Sequence, residues 1–88
     1  MLFDIGQLIA TTASLDHLEL HHTSPIELVE RHIRGDWGNV CMGDRCLNDE
    51  ALRDGSRLLS AYAVAGLKLY VITEADRSYT TIMLASEY

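Results

Sequence analysis

Two short stretches of this chain gather side chains able to do chemistry. One is Thr73-Glu74-Ala75-Asp76-Arg77-Ser78, followed by Thr80-Thr81. The other is Arg31-His32-Ile33-Arg34-Gly35-Asp36-Trp37-Gly38. A carboxylate within reach of a His or Arg can act as a general acid or base. If the chain is an enzyme, Asp36 with His32, and Glu74 and Asp76 with Arg77, are the residues of a small hydrolase or transferase. The structural alternative is that Arg77 bridges neighbouring carboxylates while Asp36 caps backbone groups of its own glycine-flanked turn. The chain has no Gly-rich phosphate cradle, no Gly-x-Ser-x-Gly elbow and no Cys/His pair in a recognisable nucleophile setting. The weight therefore falls on a non-enzymatic role.

A metal site has its own candidate residues. His17 and His21 are four apart, on one helical face, and Cys41 and Cys46 could close a tetrahedral zinc. Cys-x4-Cys is looser than the usual Cys-x2-Cys, so surface histidines and ordinary thiols are the preferred reading, and no metal or other cofactor is expected. Trp37 is a candidate binding residue, because Trp and Arg dominate interface energetics. A Trp just after a helix stop more often packs back on the core, with its N–H given to a backbone carbonyl, and that reading is preferred here.

Composition bounds what these residues can serve. At 88 residues the chain makes one domain, 1–88, and its hydrophobic content of 48% predicts a single thin core. Such a domain has little room for a dinucleotide-sized cofactor. Thirteen Asp and Glu against seven Lys and Arg give a net charge of −6. Direct nucleic-acid binding needs clustered cations, so it is not expected, whereas binding to a basic surface is. No apolar run reaches the ~20 residues of a membrane span, and the start Met1-Leu2-Phe3-Asp4 has no signal-peptide character. A cytoplasmic location with reduced Cys41 and Cys46 is the expectation.

The elements that must position the two stretches follow from local signals. Gln7 to Ala13 reads as a strand rich in β-branched residues, and Ser14 as the N-cap of a helix carrying Leu15 and Leu18. Ser24-Pro25-Ile26-Glu27 is a capping box with Pro at the first helical position. Its helix runs through Ile33 and stops at Gly35. Gly38 to Cys46 lacks periodicity and reads as a loop, with Asn48 capping a turn or two of helix that ends at Gly55. Ser56–Val64 and Leu67–Glu74 alternate as strands about an Ala65-Gly66 turn, and Thr80–Ala85 makes the last strand. The predicted fold is α+β: a small antiparallel sheet of three to four strands with two or three short helices packed on one face.

Several blocks then resemble a set of small bacterial proteins carried on plasmids and other mobile elements and described as plasmid-related proteins. They are Ala10-Thr11, Arg31-His32 with Gly35-Asp36-Trp37-Gly38, Asn48 with Glu50-Ala51-Leu52, Gly55 through Tyr62, and Ile72 through Ser78 with Thr80-Thr81. The chain departs from that pattern at Thr12-Ala13, where a Pro-Gly pair is usual, and at Ala85-Ser86, where a Pro is usual. The second departure suggests a tail that runs on as strand. The resemblance implies a context, mobile-element cargo in bacteria, and no mechanism. Together with the acidity it leads to an expected interaction protein acting on a host or element protein. One concrete form is an inhibitor that occupies the basic groove of a nucleic-acid-processing defence complex as an electrostatic decoy. The partner-binding candidates are Trp37, Asp36, Asp49, Glu50, Glu74, Asp76 and Arg77. A structural homodimer is the other non-enzymatic alternative. A concave site shared by Asp36 and Asp76 would favour an enzyme, and a flat acidic face a decoy.

Overall fold

A computed structural model describes residues 2–88. The chain runs β1 (Gln7–Ala10), α1 (Thr12–Leu20), α2 (Pro25–Ile33), α3 (Met42–Asp54), β2 (Leu58–Val64), β3 (Leu67–Thr73) and β4 (Tyr79–Leu84), then a single 3-10 turn over Ala85–Glu87. The four strands form one sheet in the order β1-β4-β3-β2. The α+β class expected from sequence is thus the fold observed. Strands β2, β3 and β4 pair antiparallel, and β1 joins the edge of β4 parallel to it. The antiparallel expectation is corrected at that one strand: the 68 residues between β1 and β4 include all three helices, which lets the chain return to the sheet in the same direction.

Helices occupy one face. Period-two alternation sends Leu58, Ser60 and Tyr62 from β2, Leu69, Val71 and Thr73 from β3, and Thr80 and Ile82 from β4 to that face, and all are buried. Leu18 of α1 and Leu28 and Val29 of α2 pack on Tyr62, Leu69, Val71 and Ile82. Ala51 of α3 closes a second cluster with Trp37 and Leu58. The β2–β3 hairpin turns through Ala65 (φ 48°) and Gly66 (φ 83°), the left-handed pair of a type I′ turn.

The capping box of α2 is present in full. Ser24 Oγ accepts from the N–H of Ile26, and the N–H of Ser24 donates to Glu27 Oε2. Gly35 follows the helix with φ 84°. Elsewhere the sequence expectations shift. β1 ends at Ala10, and Thr11 rather than Ser14 caps α1, its Oγ1 accepting the N–H of Ser14. Ser14 is buried instead, donating from Oγ to the carbonyls of Thr11 and Ile82. Leu15, expected on the inner face, is exposed.

The larger correction concerns residues 38–54. Met42–Asp54 is one helix of 13 residues, where a loop and a short turn were expected. Its N-cap, Cys41, makes no side-chain cap bond, and only Asn48 and Ala51 are buried along it. A helix without a polar cap and with so narrow a buried stripe carries neither of the usual sequence signals. Asn48 lies mid-helix and caps nothing there. The tail likewise turns as 3-10 helix rather than continuing as strand, because Glu87 Oε1 accepts the N–H of Leu84 and the Thr11 hydroxyl.

Candidate functional site

Arg77 stands at the centre of the first stretch. It carries φ 60°, an unusual conformation for a side-chain-bearing residue. That turns its guanidinium under the β3–β4 connection, where Nη1 donates to the carbonyls of Ser56 (2.7 Å), Glu74 (3.1 Å) and Ala75 (3.2 Å). Nη2 donates to Ala51 O at 3.1 Å, one of the last carbonyls of α3. A cation at a helix C-terminus also complements the helix dipole. The expected bridge to a carboxylate is therefore corrected. Arg77 binds four backbone oxygens and so fixes the end of α3, the start of β2 and the β3–β4 turn to one another.

Of the carboxylates around it, Asp54 and Asp76 are exposed to solvent and Glu74 is half-buried. Asp76 Oδ1 accepts the N–H of Ser78, and this turn contact, with the Ser78 hydroxyl the larger influence and the N–H the smaller, holds its carboxyl below the usual range. Asp54 does the same for Ser56, and the positive Arg77 beside it adds to the lowering. A shallow, open depression of about 340 Å³ lies on this side, lined by Glu74, Ala75, Asp76, Ser78 and Tyr79.

The second stretch divides in two. Asp36 faces solvent, with Oδ2 on Arg31 Nε at 2.7 Å and Oδ1 accepting the N–H of Gly38. The hydrogen bond to Arg31 is the main cause that lowers its carboxyl and raises the guanidinium. Arg31 also lies over the Tyr62 ring at 4.3 Å, and the Tyr62 hydroxyl donates to Asp36 O. Burial pushes that phenol up to about 12. Asp36 thus performs the turn-capping role set against the acid–base one.

His32 points the other way, into the interior, with no exposed surface. Its two nitrogens meet Ser60 Oγ at 2.5 Å and Thr73 Oγ1 at 2.9 Å. Thr73 Oγ1 in turn meets Thr80 Oγ1 at 2.7 Å, and Thr80 donates to Ile5 O at 2.8 Å. That last carbonyl can only accept, which orders the whole chain. Thr80 donates to Ile5, Thr73 donates to Thr80, His32 donates from Nε2 to Thr73, and Ser60 donates to the unprotonated Nδ1. Every buried polar atom is satisfied while the imidazole is neutral. Burial first, and the charge of Arg77 second, push its pKa down to about 4. Phe3 and Trp37 close over the ring edge-on, at 5.0 and 5.7 Å. A Ser–His pair sealed this way has no substrate access, so it is a structural network.

Trp37 is 5% exposed, so its ring offers almost no surface to a partner. Its N–H donates to Asp49 Oδ1 rather than to a backbone carbonyl. That contact makes Asp49 partly structural and leaves Glu50, one residue on, as the solvated carboxylate of the pair. Among the described residues Asp36 and Asp76 share no hydrogen-bonding partner, and Asp36 does not line the depression beside Asp76. The structure therefore brings together Glu74, Asp76 and Arg77, with α3 beside them, and leaves His32, Trp37 and Asp36 outside that group.

The metal candidates do not converge either. His17 donates from Nε2 to Val64 O at 2.6 Å and stacks edge-on with His21, while Cys41, the N-cap of α3, and Cys46 on that helix are exposed. Among the described residues no three His, Cys, Asp or Glu side chains are placed to hold a metal ion. No described helix is long and apolar enough to cross a membrane.

Asn48 is a residue whose role the sequence signal misassigned. Its side-chain amide donates to Leu59 O at 2.6 Å and accepts the N–H of Leu59 at 3.0 Å. Leu59 lies on β2, the edge strand, and Asn48 thus mimics a neighbouring strand. Ala61, two residues on, is served by Trp37 O and by the N–H of Asn39. The close approach requires Gly38 (φ 71°), where a Cβ would sit 2.0 Å from Ala61 O. The edge seal accounts for Trp37-Gly38 within the Gly-Asp-Trp-Gly string. Comparison of the chain with protein-family models, with curated proteins and with solved structures finds no match.

Proposed function

We propose that the chain is a non-enzymatic interaction protein that binds a basic protein surface through the acidic ridge made by the C-terminal half of α3 and the β3–β4 turn. The observation that carries this reading is how the protein uses its cations. Arg77, Arg45 and Arg57 donate to oxygens of their own chain that carry no charge. Arg31 pairs with Asp36 and Arg34 with Glu30. Of 13 Asp and Glu side chains, those two alone make a salt bridge among the described residues, while Arg77 and Arg53 lie near Asp54 without bridging it. Charge left unbalanced in this way supports long-range attraction to a basic surface and repels nucleic acid.

Glu50, Asp54, Glu74 and Asp76 are the residues of this ridge, with Arg77 underneath as its fastening. The acid–base alternative is less well supported, because its base, His32, is buried, and Asp36 and Asp76 face open water. In its most concrete form the proposal takes up the resemblance to plasmid-related proteins. The chain is then cargo of a bacterial mobile element, and its partner a nucleic-acid-processing defence complex whose basic groove it occupies.

The experiment is affinity capture from a bacterial lysate with wild-type protein and with Glu50→Lys/Glu74→Lys, neither of which makes a side-chain bond in the fold. A partner held by the wild type and lost by the reversed variant supports the ridge. Identical capture by both contradicts it.

A further inference from the structure

Two histidines that the acidic ridge does not use stand together at the end of α1. His17 lies in its last turn and His21 is its C-cap, four residues on, so both side chains leave the same face. Their rings meet edge-on with centroids 4.6 Å apart. The ring of His17 is also held from behind. Val64 O can only accept, so the 2.6 Å contact makes Nε2 the donor. In the neutral imidazole the proton is then committed to Val64, and Nδ1 carries a lone pair. Among the described residues no hydrogen bond reaches that lone pair or either ring nitrogen of His21. A carbonyl behind one nitrogen and a lone pair on the other is how metal-ligating histidines are set. The carbonyl fixes the tautomer, holds the ring plane and makes the free nitrogen more basic.

We infer that His17, through Nδ1, and His21 chelate one divalent transition-metal ion of the nickel, copper or zinc kind on the last turn of α1. This site is separate from the four-ligand zinc site that does not form, because it uses neither Cys41 nor Cys46. Two ligands suffice to hold such an ion at a surface when water fills its remaining positions. His17 is half-buried and His21 exposed. One ligand is therefore fixed by the fold, and the other is free to swing onto the ion.

The surroundings favour a cation of this class. The last carbonyls of α1 present the negative end of the helix dipole. Residues 12–24 include Asp16 and Glu19 and no Lys or Arg, so no fixed positive charge of this segment opposes the ion. Imidazole nitrogen suits nickel, copper and zinc, whereas hard ions such as magnesium require oxygen ligands. Two nitrogens impose no coordination geometry, so affinity should follow the intrinsic order, with copper above nickel and nickel above manganese. Val64 ends β2, so the ligand pair joins α1 to the β2–β3 hairpin only in the folded chain. Metal that binds the folded state alone stabilises it.

Calorimetric titration of the tag-free full chain with nickel sulfate tests this, with urea unfolding followed in parallel. The expected result is one equivalent of nickel bound, a urea midpoint that rises with nickel concentration, and no response to magnesium. His17→Gln keeps an amide N–H for Val64 O but loses the ligand, and His21→Ala removes the exposed partner. Each should raise the nickel dissociation constant at least about tenfold, since even a supporting contact of a ligand is worth that much. The far-ultraviolet circular dichroism of both metal-free variants should match wild type. His22→Asn, which tolerates the left-handed backbone at that position (φ 53°), and Cys41→Ser/Cys46→Ser should bind nickel as wild type does. Absence of binding at millimolar nickel overturns the inference. So does binding that survives His17→Gln, that magnesium matches, or that is lost in His22→Asn or in the double cysteine variant.

Discussion

Acidifying the protein from pH 7 to pH 5 should weaken the fold through His32. In the unfolded chain this imidazole takes up a proton near its ordinary 6.5, and in the fold only near about 4. Between those values the unfolded state binds more protons than the native state, so stability falls as pH falls. Above 6.5 both states are neutral at this position and the linkage vanishes. The loss amounts to about 2 kcal/mol by pH 5 and about 3 kcal/mol near pH 4, from a single residue. That is a large share of the stability of a domain this small. The mechanism is specific: a charged His32 would need both nitrogens to donate, while Ser60 already donates to Nδ1, so protonation reverses one hydrogen bond inside a sealed core. The assay is urea unfolding at several pH values for wild type and His32→Gln, which keeps an amide at the site and does not titrate. The variant starts less stable and should lose about 2 kcal/mol less between pH 7 and pH 5. Parallel pH profiles for the two proteins, or an NMR titration placing His32 at or above 6.5, would refute the reasoning.

Further outcomes follow from the same contacts. Arg77→Ala strands four backbone carbonyls and should cost about 2–3 kcal/mol in urea unfolding, whereas Arg45→Ala, with one exposed bond to Gly38 O, should stay within about 0.5 kcal/mol. Asn48→Ala should destabilise by about 2 kcal/mol and make the Leu59 amide exchange freely, since both backbone groups of that residue lose their partner. Gly38→Ala places a methyl against Ala61 O and should cost at least about 2 kcal/mol, measured by the same unfolding curve, with loss of amide protection at Ala61 and Asn39.

The capping box of α2 and the β2–β3 hairpin were legible because each is written in adjacent residues: Ser24, Pro25 and Glu27 in one case, strict alternation about Ala65-Gly66 in the other. Helix α3 was not. Its burial rests on Asn48 and Ala51, and its reason for existing is to carry an amide to the edge of β2, a contact 11 residues away that no local pattern announces. The same holds for the direction of β1, decided by the crossover and not by anything in Gln7–Ala10. At the candidate site, the crowding of Glu74, Asp76 and Arg77 was visible, but the partner of Arg77 was misjudged. Sequence proximity to two carboxylates suggested an ion pair, and the left-handed backbone at Arg77 aims the guanidinium at carbonyls instead. His32 and Asp36 illustrate the converse. Four residues apart at a helix end, they look like one site, yet the fold sends one into the core and the other to solvent.

The central proposal is attraction between the acidic ridge and a basic partner, and its most direct measurement is the association rate of the captured partner as a function of salt. Exposed charges are screened beyond about 8 Å at physiological ionic strength. The rate for wild type should therefore fall steeply as salt rises, while the rate for Glu50→Lys/Glu74→Lys should start lower and respond less. A rate that is the same at low and high salt, and the same for both proteins, would contradict the account.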